Sequence, residues 1–193
     1  MPIFTALLTL ATLFCVGFVD RPVALYFHGH QSLRLVFQAC ASPSLLALPA
    51  AGACLLYAIM QRLRGGEPVN RLWLVMSIAT LAGTAAKDEL KWIFGRPWPS
   101  TWLDDGTYGF HPFINSILFG GFPSGHTSYI SAPLCVLWVM APRFRWLWGG
   151  VIGLVMFGLV AANYHFVGDV LAGLLTGMGC AWGSLVLTKP RNA

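Results

Sequence analysis

Six apolar stretches alternate with short polar or aromatic connections along the chain, at residues 3–19, 42–60, 72–94, 124–140, 146–164 and 168–187. A membrane crossing takes roughly 20 residues of helix, so the pattern predicts an all-α, polytopic bundle of six transmembrane helices, one membrane-embedded domain over 1–193. The first stretch ends at Asp20-Arg21-Pro22 and has neither a basic start nor a small-residue cleavage site, so it reads as a retained span instead of a signal peptide. Residues 21–40 mix apolar positions with Tyr26, Phe27, His28 and Arg34 and are expected to lie on the interface before the second span.

Composition agrees with this reading. Hydrophobic residues make up 56% of the chain and charged ones 10%, against roughly 25% charged in a soluble domain. A net charge of +5 would raise the question of nucleic acid, but the basic residues are spread along membrane edges and form no patch, which leaves the bilayer as the expected partner. Arg62, Arg64 and Arg71 mark one connection as cytoplasmic, Arg143 and Arg145 another, and Lys189 and Arg191 the tail. The connections between spans three and four and between five and six then face outward, away from the cytoplasm. The five cysteines form no Cys-x-x-Cys pair and read as small core residues.

Those two outward connections hold most of the polar residues that ask for a reason. Phe122-Pro123-Ser124-Gly125-His126-Thr127 opens the fourth span; Ser124 can cap the helix, and the free N–H groups of its first turn, Gly125 among them, form an anion site beside the His126 imidazole. At the start of the sixth span, His165 and Asp169 stand four residues apart. On a helix they would share a face, so the carboxylate could fix one ring nitrogen and leave the other as a nucleophile. Lys87 and Lys91, one turn apart, and Arg96, just past Gly95, could bring positive charge onto a phosphate; lysines at a span end also snorkel, and Asp88 or Glu89 could pair with them. The loop that follows, from Trp102 to Phe122, is aromatic, and its middle is apolar enough to line the path of a lipid tail. His28 and His30 have no third ligand nearby to complete a metal site.

Taken together, the Pro-Ser-Gly-His block followed by His-x-x-x-Asp, after the lysine-rich segment, resembles the type 2 phosphatidic acid phosphatase superfamily over residues 87–169. The resemblance implies that His165 is the nucleophile, Asp169 its orienting carboxylate and His126 the acid for the leaving alcohol. It implies Ser124 and the Gly125 backbone as phosphate ligands, with no cofactor and no metal. Two departures stand out. The family's first motif is a lysine, six residues and Arg-Pro, which from Lys91 falls on Trp98-Pro99; its third begins Ser-Arg where this chain has Gly158-Leu159. Lys87, Lys91 and Arg96 are left to neutralise the dianion, with Arg96 the substitute ligand. The expected activity is hydrolysis of a lipid phosphomonoester or diphosphate on the outer face through a phosphohistidine. The alternatives are a lipid phosphotransferase using the same intermediate and a weakened relative that only binds lipid phosphate. Phosphatidic acid, phosphatidylglycerophosphate, polyprenyl diphosphate and lipid A all fit, and oligomeric state is left open.

Overall fold

The computed structural model describes residues 2–189; Arg191 of the basic tail lies outside them. Among the described residues the structure is helical, with no strand beyond an isolated bridge between Arg96 and Gly120. Helix α1 (Pro2–Phe14) does not stop at Asp20-Arg21-Pro22 as the sequence predicts. It passes through a π turn (Cys15–Val19) into α2 (Asp20–His28), forming one 27-residue rod. The reason is local: Pro22 has no N–H and its ring crowds the preceding turn, and the wider π turn, with the Asp20 N–H bonded to Cys15 O, lets the helix continue. Asp20 is thereby turned inward and is fully buried.

The segment expected on the interface is also built in. Helix α3 (Arg34–Ala41) continues through a 3₁₀ turn (Ser42–Leu46) into α4 (Ala47–Leu63), and α3 lies against α8 (Arg145–Ala161). Gly158 permits this approach, since a Cβ there would sit 2.6 Å from both Ala41 N and Phe37 O. Phe27, Phe37 and Phe157 pack edge to face around the junction. Helix α5 (Arg71–Phe94) starts at Asn70, whose side chain accepts the Leu72 N–H at 2.9 Å, and ends at Gly95 in the left-handed conformation, φ 54°. Then follow α6 (Pro99–Asp105), α7 (Gly125–Met140), α8 and α9 (Val167–Leu187).

Among the described residues, four stretches are long and apolar enough to cross a membrane: Pro2–His28, Gln31–Leu63, Pro142–Ala161 and Val167–Leu187. The chain is a membrane protein. The predicted six reduces to four on this measure because α5 carries Lys87, Asp88, Glu89 and Lys91 near its end, and α7 is only 16 residues long with a polar first half. Helix α7 is the hub, packed by α5 on one side and α9 on another. Its interior is hydroxyl-rich, and each hydroxyl bonds back one turn: Ser128 Oγ donates to Ser124 O at 2.8 Å and Ser131 Oγ to Thr127 O at 2.6 Å. The outside is apolar, with Ile3, Leu10, Leu56 and Leu63 all largely exposed, as lipid-facing surfaces require.

Small residues set the spacing at the hub, where Asp169, Gly173 and Gly177 recur every four residues along α9. A Cβ on Gly173 would lie 2.6 Å from Ser124 O, and one on Gly177 would lie 2.7 Å from Ser128 O. In α8, Gly149 and Gly153 are likewise four residues apart, but Gly149 meets Trp138 whereas Gly153 has nothing within 4 Å.

Candidate active site

The start of α7 meets the start of α9 here. Ser124 is the N-cap of α7 and is fully buried; its Oγ accepts from Thr127 N (3.4 Å) and Thr127 Oγ1 (3.2 Å), and its N–H donates to Asp169 O at 2.9 Å. The hydroxyl expected as a phosphate ligand is therefore turned into its own helix turn. The N–H groups of Gly125 and His126, in the first turn, have no partner within the helix and carry its positive dipole end.

His165 does not stand on a helix with Asp169, contrary to the i, i+4 reading. It sits in the connection before α9, its N–H held by Leu159 O at 3.2 Å, and Asp169 lies in the first turn of α9. The pair still meets because the chain turns at Phe166, whose N–H donates to Asp169 Oδ2 at 2.9 Å. His165 Nδ1 lies 3.5 Å from the same oxygen, with both side chains almost wholly buried.

Arg96 is the main departure from expectation. It does not line the cavity with the histidines. It is completely buried behind them, where Nη1 donates to Asp169 Oδ1 at 2.5 Å and Nη2 to Asp20 Oδ2 at 2.7 Å and to Tyr108 Oη at 2.8 Å. Asp20 Oδ1 in turn accepts the Gly168 N–H at 2.8 Å, and Tyr108 donates to Val16 O at 2.6 Å. The rings of Phe166, Tyr108 and Phe110 enclose the guanidinium at 4.6–5.4 Å. Burial by itself favours the neutral form of Arg96, but Asp169 and Asp20 outweigh it and push its pKa up, so the cation persists at any working pH. Burial raises the Tyr108 hydroxyl above its usual range against the pull of Arg96, which keeps it a neutral donor. Paired with two carboxylates through Nη1 and Nη2, with its buried Nε left unbonded among the described residues, the guanidinium does not line the cavity of the histidines.

Both histidines, His126 and His165, line one cavity of about 740 Å³. Trp98 and Leu159, which occupy the two missing-arginine positions, line it too. The Trp98 ring lies 4.9 Å from His165 on one side and 4.9 Å from Lys91 Nζ on the other, and its Nε1 donates to Ile117 O at 2.6 Å. Lys91 Nζ would be 4.0 Å from a Cβ on Gly125 and 3.8 Å from one on Gly120, so its charge sits at the α7 N-terminus with no carboxylate in ion-pair range among the described residues. Lys87 packs its stem on Gly125, 2.7 Å from that same Cβ position, and its ammonium pairs with Asp88. His28 and His30 lie at the end of a helix and beyond it, with His30 Nδ1 bonded to Tyr26 O at 2.7 Å.

Asp20 and Tyr108 are the participants that sequence reasoning missed. The available signal for Asp20 was an acid in the middle of an apolar helix, which needs a buried partner.

Comparison with known proteins matches the part of the chain that holds both histidines. Lipid A 1-phosphatase of Rhizobium johnstonii is 33% identical over 99 residues, covering 50% of this chain and 38% of that protein. Its namesake in Rhizobium etli is 32% identical over 99 residues, with 50% and 40% covered. The chain thus spans about two fifths of the length of these relatives. The model of the PAP2 superfamily matches residues 70–193, which include Lys91, His126, His165 and Asp169, and the chain belongs to that superfamily.

Proposed function

We propose that the chain is an integral membrane lipid phosphatase that transfers the substrate's phosphate first to His165 and then to water. The observation that carries this reading is the opening of His126 and His165 onto one cavity, with Asp169 behind His165 on its Nδ1 side. Asp169 holds the Nδ1–H tautomer, which makes Nε2 the attacking atom. As the N–P bond forms, the P–O bond to the lipid breaks, and His126 as imidazolium gives its proton to the departing oxygen. His126, now neutral, then takes a proton from the water that cleaves the N–P bond. The equatorial oxygens are met by Lys91 and by the N–H groups of Gly125 and His126, with Lys87 behind them.

Arg96, Asp20 and Tyr108 serve this chemistry at one remove by holding Asp169 in place. Nucleophile, acid and base all come from side chains, so no metal is needed and chelators should leave the rate unchanged. Leu45 and Ile117, both exposed, line the same cavity and suit an acyl or prenyl chain entering from the bilayer. The relatives' name, lipid A 1-phosphatase, supports a lipid-borne phosphate as substrate. The bias of arginine and lysine supports a site on the outer face of a bacterial-type inner membrane.

The test is phosphate release by purified protein in detergent from phosphatidic acid, phosphatidylglycerophosphate, polyprenyl diphosphate and lipid A. Rapid quench should find acid-labile phosphate on the protein. Release without any protein-bound label would point to direct attack by water.

A further inference from the structure

The cavity has a wall that this chemistry leaves idle. Arg34 and Gln38 of α3 line it together with Asn163 and Tyr164, and α3 lies outside the segment matched to the superfamily. Gln38 Nε2 donates to Tyr164 Oη at 2.7 Å, and the Arg34 guanidinium stands 6.0 Å from the centre of the Tyr164 ring. Arg34 is exposed at the rim, near one end of the apolar stretch Gln31–Leu63. Among the described residues no carboxylate lies within ion-pair distance of it. Trp98 and Leu159 stand where the family's arginines would be, and Arg96 is neutralised, so Arg34 is the arginine this cavity retains among its lining residues. An uncompensated guanidinium held beside an aromatic ring, in a cavity with no acid to answer it, is built to receive an oxyanion.

We propose that Arg34, braced by Tyr164 and Gln38, binds a second phosphate oxyanion of the substrate, beyond the phosphate attacked by His165. This deepens the phosphatase reading and rests on it. The attacked phosphate already has its own cations and N–H donors at Lys91 and the start of α7, beside a His165 that is 2% exposed. A cavity of about 740 Å³ has room for a whole headgroup. The preferred substrate class is then a lipid whose headgroup carries two phosphate groups.

Wild type, Arg34→Gln and Arg34→Lys are compared on phosphatidic acid, whose leaving group is neutral, and on a polyprenyl diphosphate in the same micelles. In Arg34→Gln the loss of kcat/KM on the diphosphate should exceed that on phosphatidic acid by about tenfold or more, mainly through KM, since a charge-assisted hydrogen bond is lost. Arg34→Lys should recover part of it. Equal losses on the two lipids overturn the proposal. A second arm needs no turnover: His165→Ala protein should bind inorganic pyrophosphate more tightly than inorganic phosphate, and the added Arg34→Gln change should erase that preference. If wild type hydrolyses neither lipid, the phosphatase reading fails by itself, and the binding arm still decides the role of Arg34.

Discussion

At the scale of single residues, the two histidines should fail differently when removed. His165→Ala should abolish trapping of labelled phosphate on the protein. His126→Ala should slow hydrolysis of phosphatidic acid by about 10²–10⁴-fold but have far less effect on p-nitrophenyl phosphate, whose leaving group needs no proton; rapid-quench assays on both substrates separate the cases. For Arg96 the expected failure is one of structure. Arg96→Ala leaves two buried carboxylates without a counter-charge, at a cost of about 3–5 kcal/mol, whereas Tyr108→Phe removes one hydrogen-bonding hydroxyl and should cost about 1 kcal/mol with activity retained. Melting curves in detergent, read beside kcat, test this, and a stable, fully active Arg96→Ala protein would refute the positioning role. As candidates, His126, His165, Asp169 and Lys91 can be picked out in the sequence because each belongs to a short local string. Arg96 was legible as important but not in its role, because its partners lie 76 and 73 residues away and no local pattern encodes them.

At the scale of elements, all six apolar stretches become helix, and the misreadings fall at their ends. Asp20-Arg21-Pro22 carries every local sign of a stop, yet the π turn at Cys15–Val19 absorbs the proline and carries the helix on to His28. Residues around Arg34 read as interfacial because polar and apolar positions mix there; what that local pattern does not encode is the packing of α3 on α8 at Gly158, more than a hundred residues later. The glycines of α9 give a direct test of packing. Gly173→Ala must push α9 away from the Ser124 carbonyl, 2.6 Å from the new methyl, and should cost about 1–3 kcal/mol together with a fall in kcat, since Ser124 and Asp169 move apart. Gly153→Ala meets nothing within 4 Å and should stay within about 0.5 kcal/mol of wild type with full activity. Similar melting temperatures for the two variants would mean that the close approach of α7 and α9 is not what holds the site.

At the scale of the whole molecule, the proposed orientation places Asp104 and Arg64 on opposite sides of the membrane. In a background with Cys15, Cys40, Cys54, Cys135 and Cys180 replaced, Asp104→Cys should react with an impermeant thiol reagent added to intact cells or spheroplasts, and Arg64→Cys only after lysis; labelling of both from one side sinks the topology. The molecule is also more unified than its family segment, because Asp20 on the first rod completes a charge cluster that Arg96 and Asp169 share. That link has a consequence for biogenesis. During synthesis Asp20 enters the membrane as a lone acid, about the costliest passenger an apolar helix can carry, and its counter-ion is made 76 residues later. Asp169 follows Arg96 after a further 73 residues. The nascent bundle therefore cannot settle its first helix until Arg96 is made, and the cluster closes only when the segment bearing His165 has been threaded. Closure of the charge cluster and placement of the loop that bears His165 are then one event, which on the proposed mechanism leaves little opportunity for a half-assembled bundle to be active.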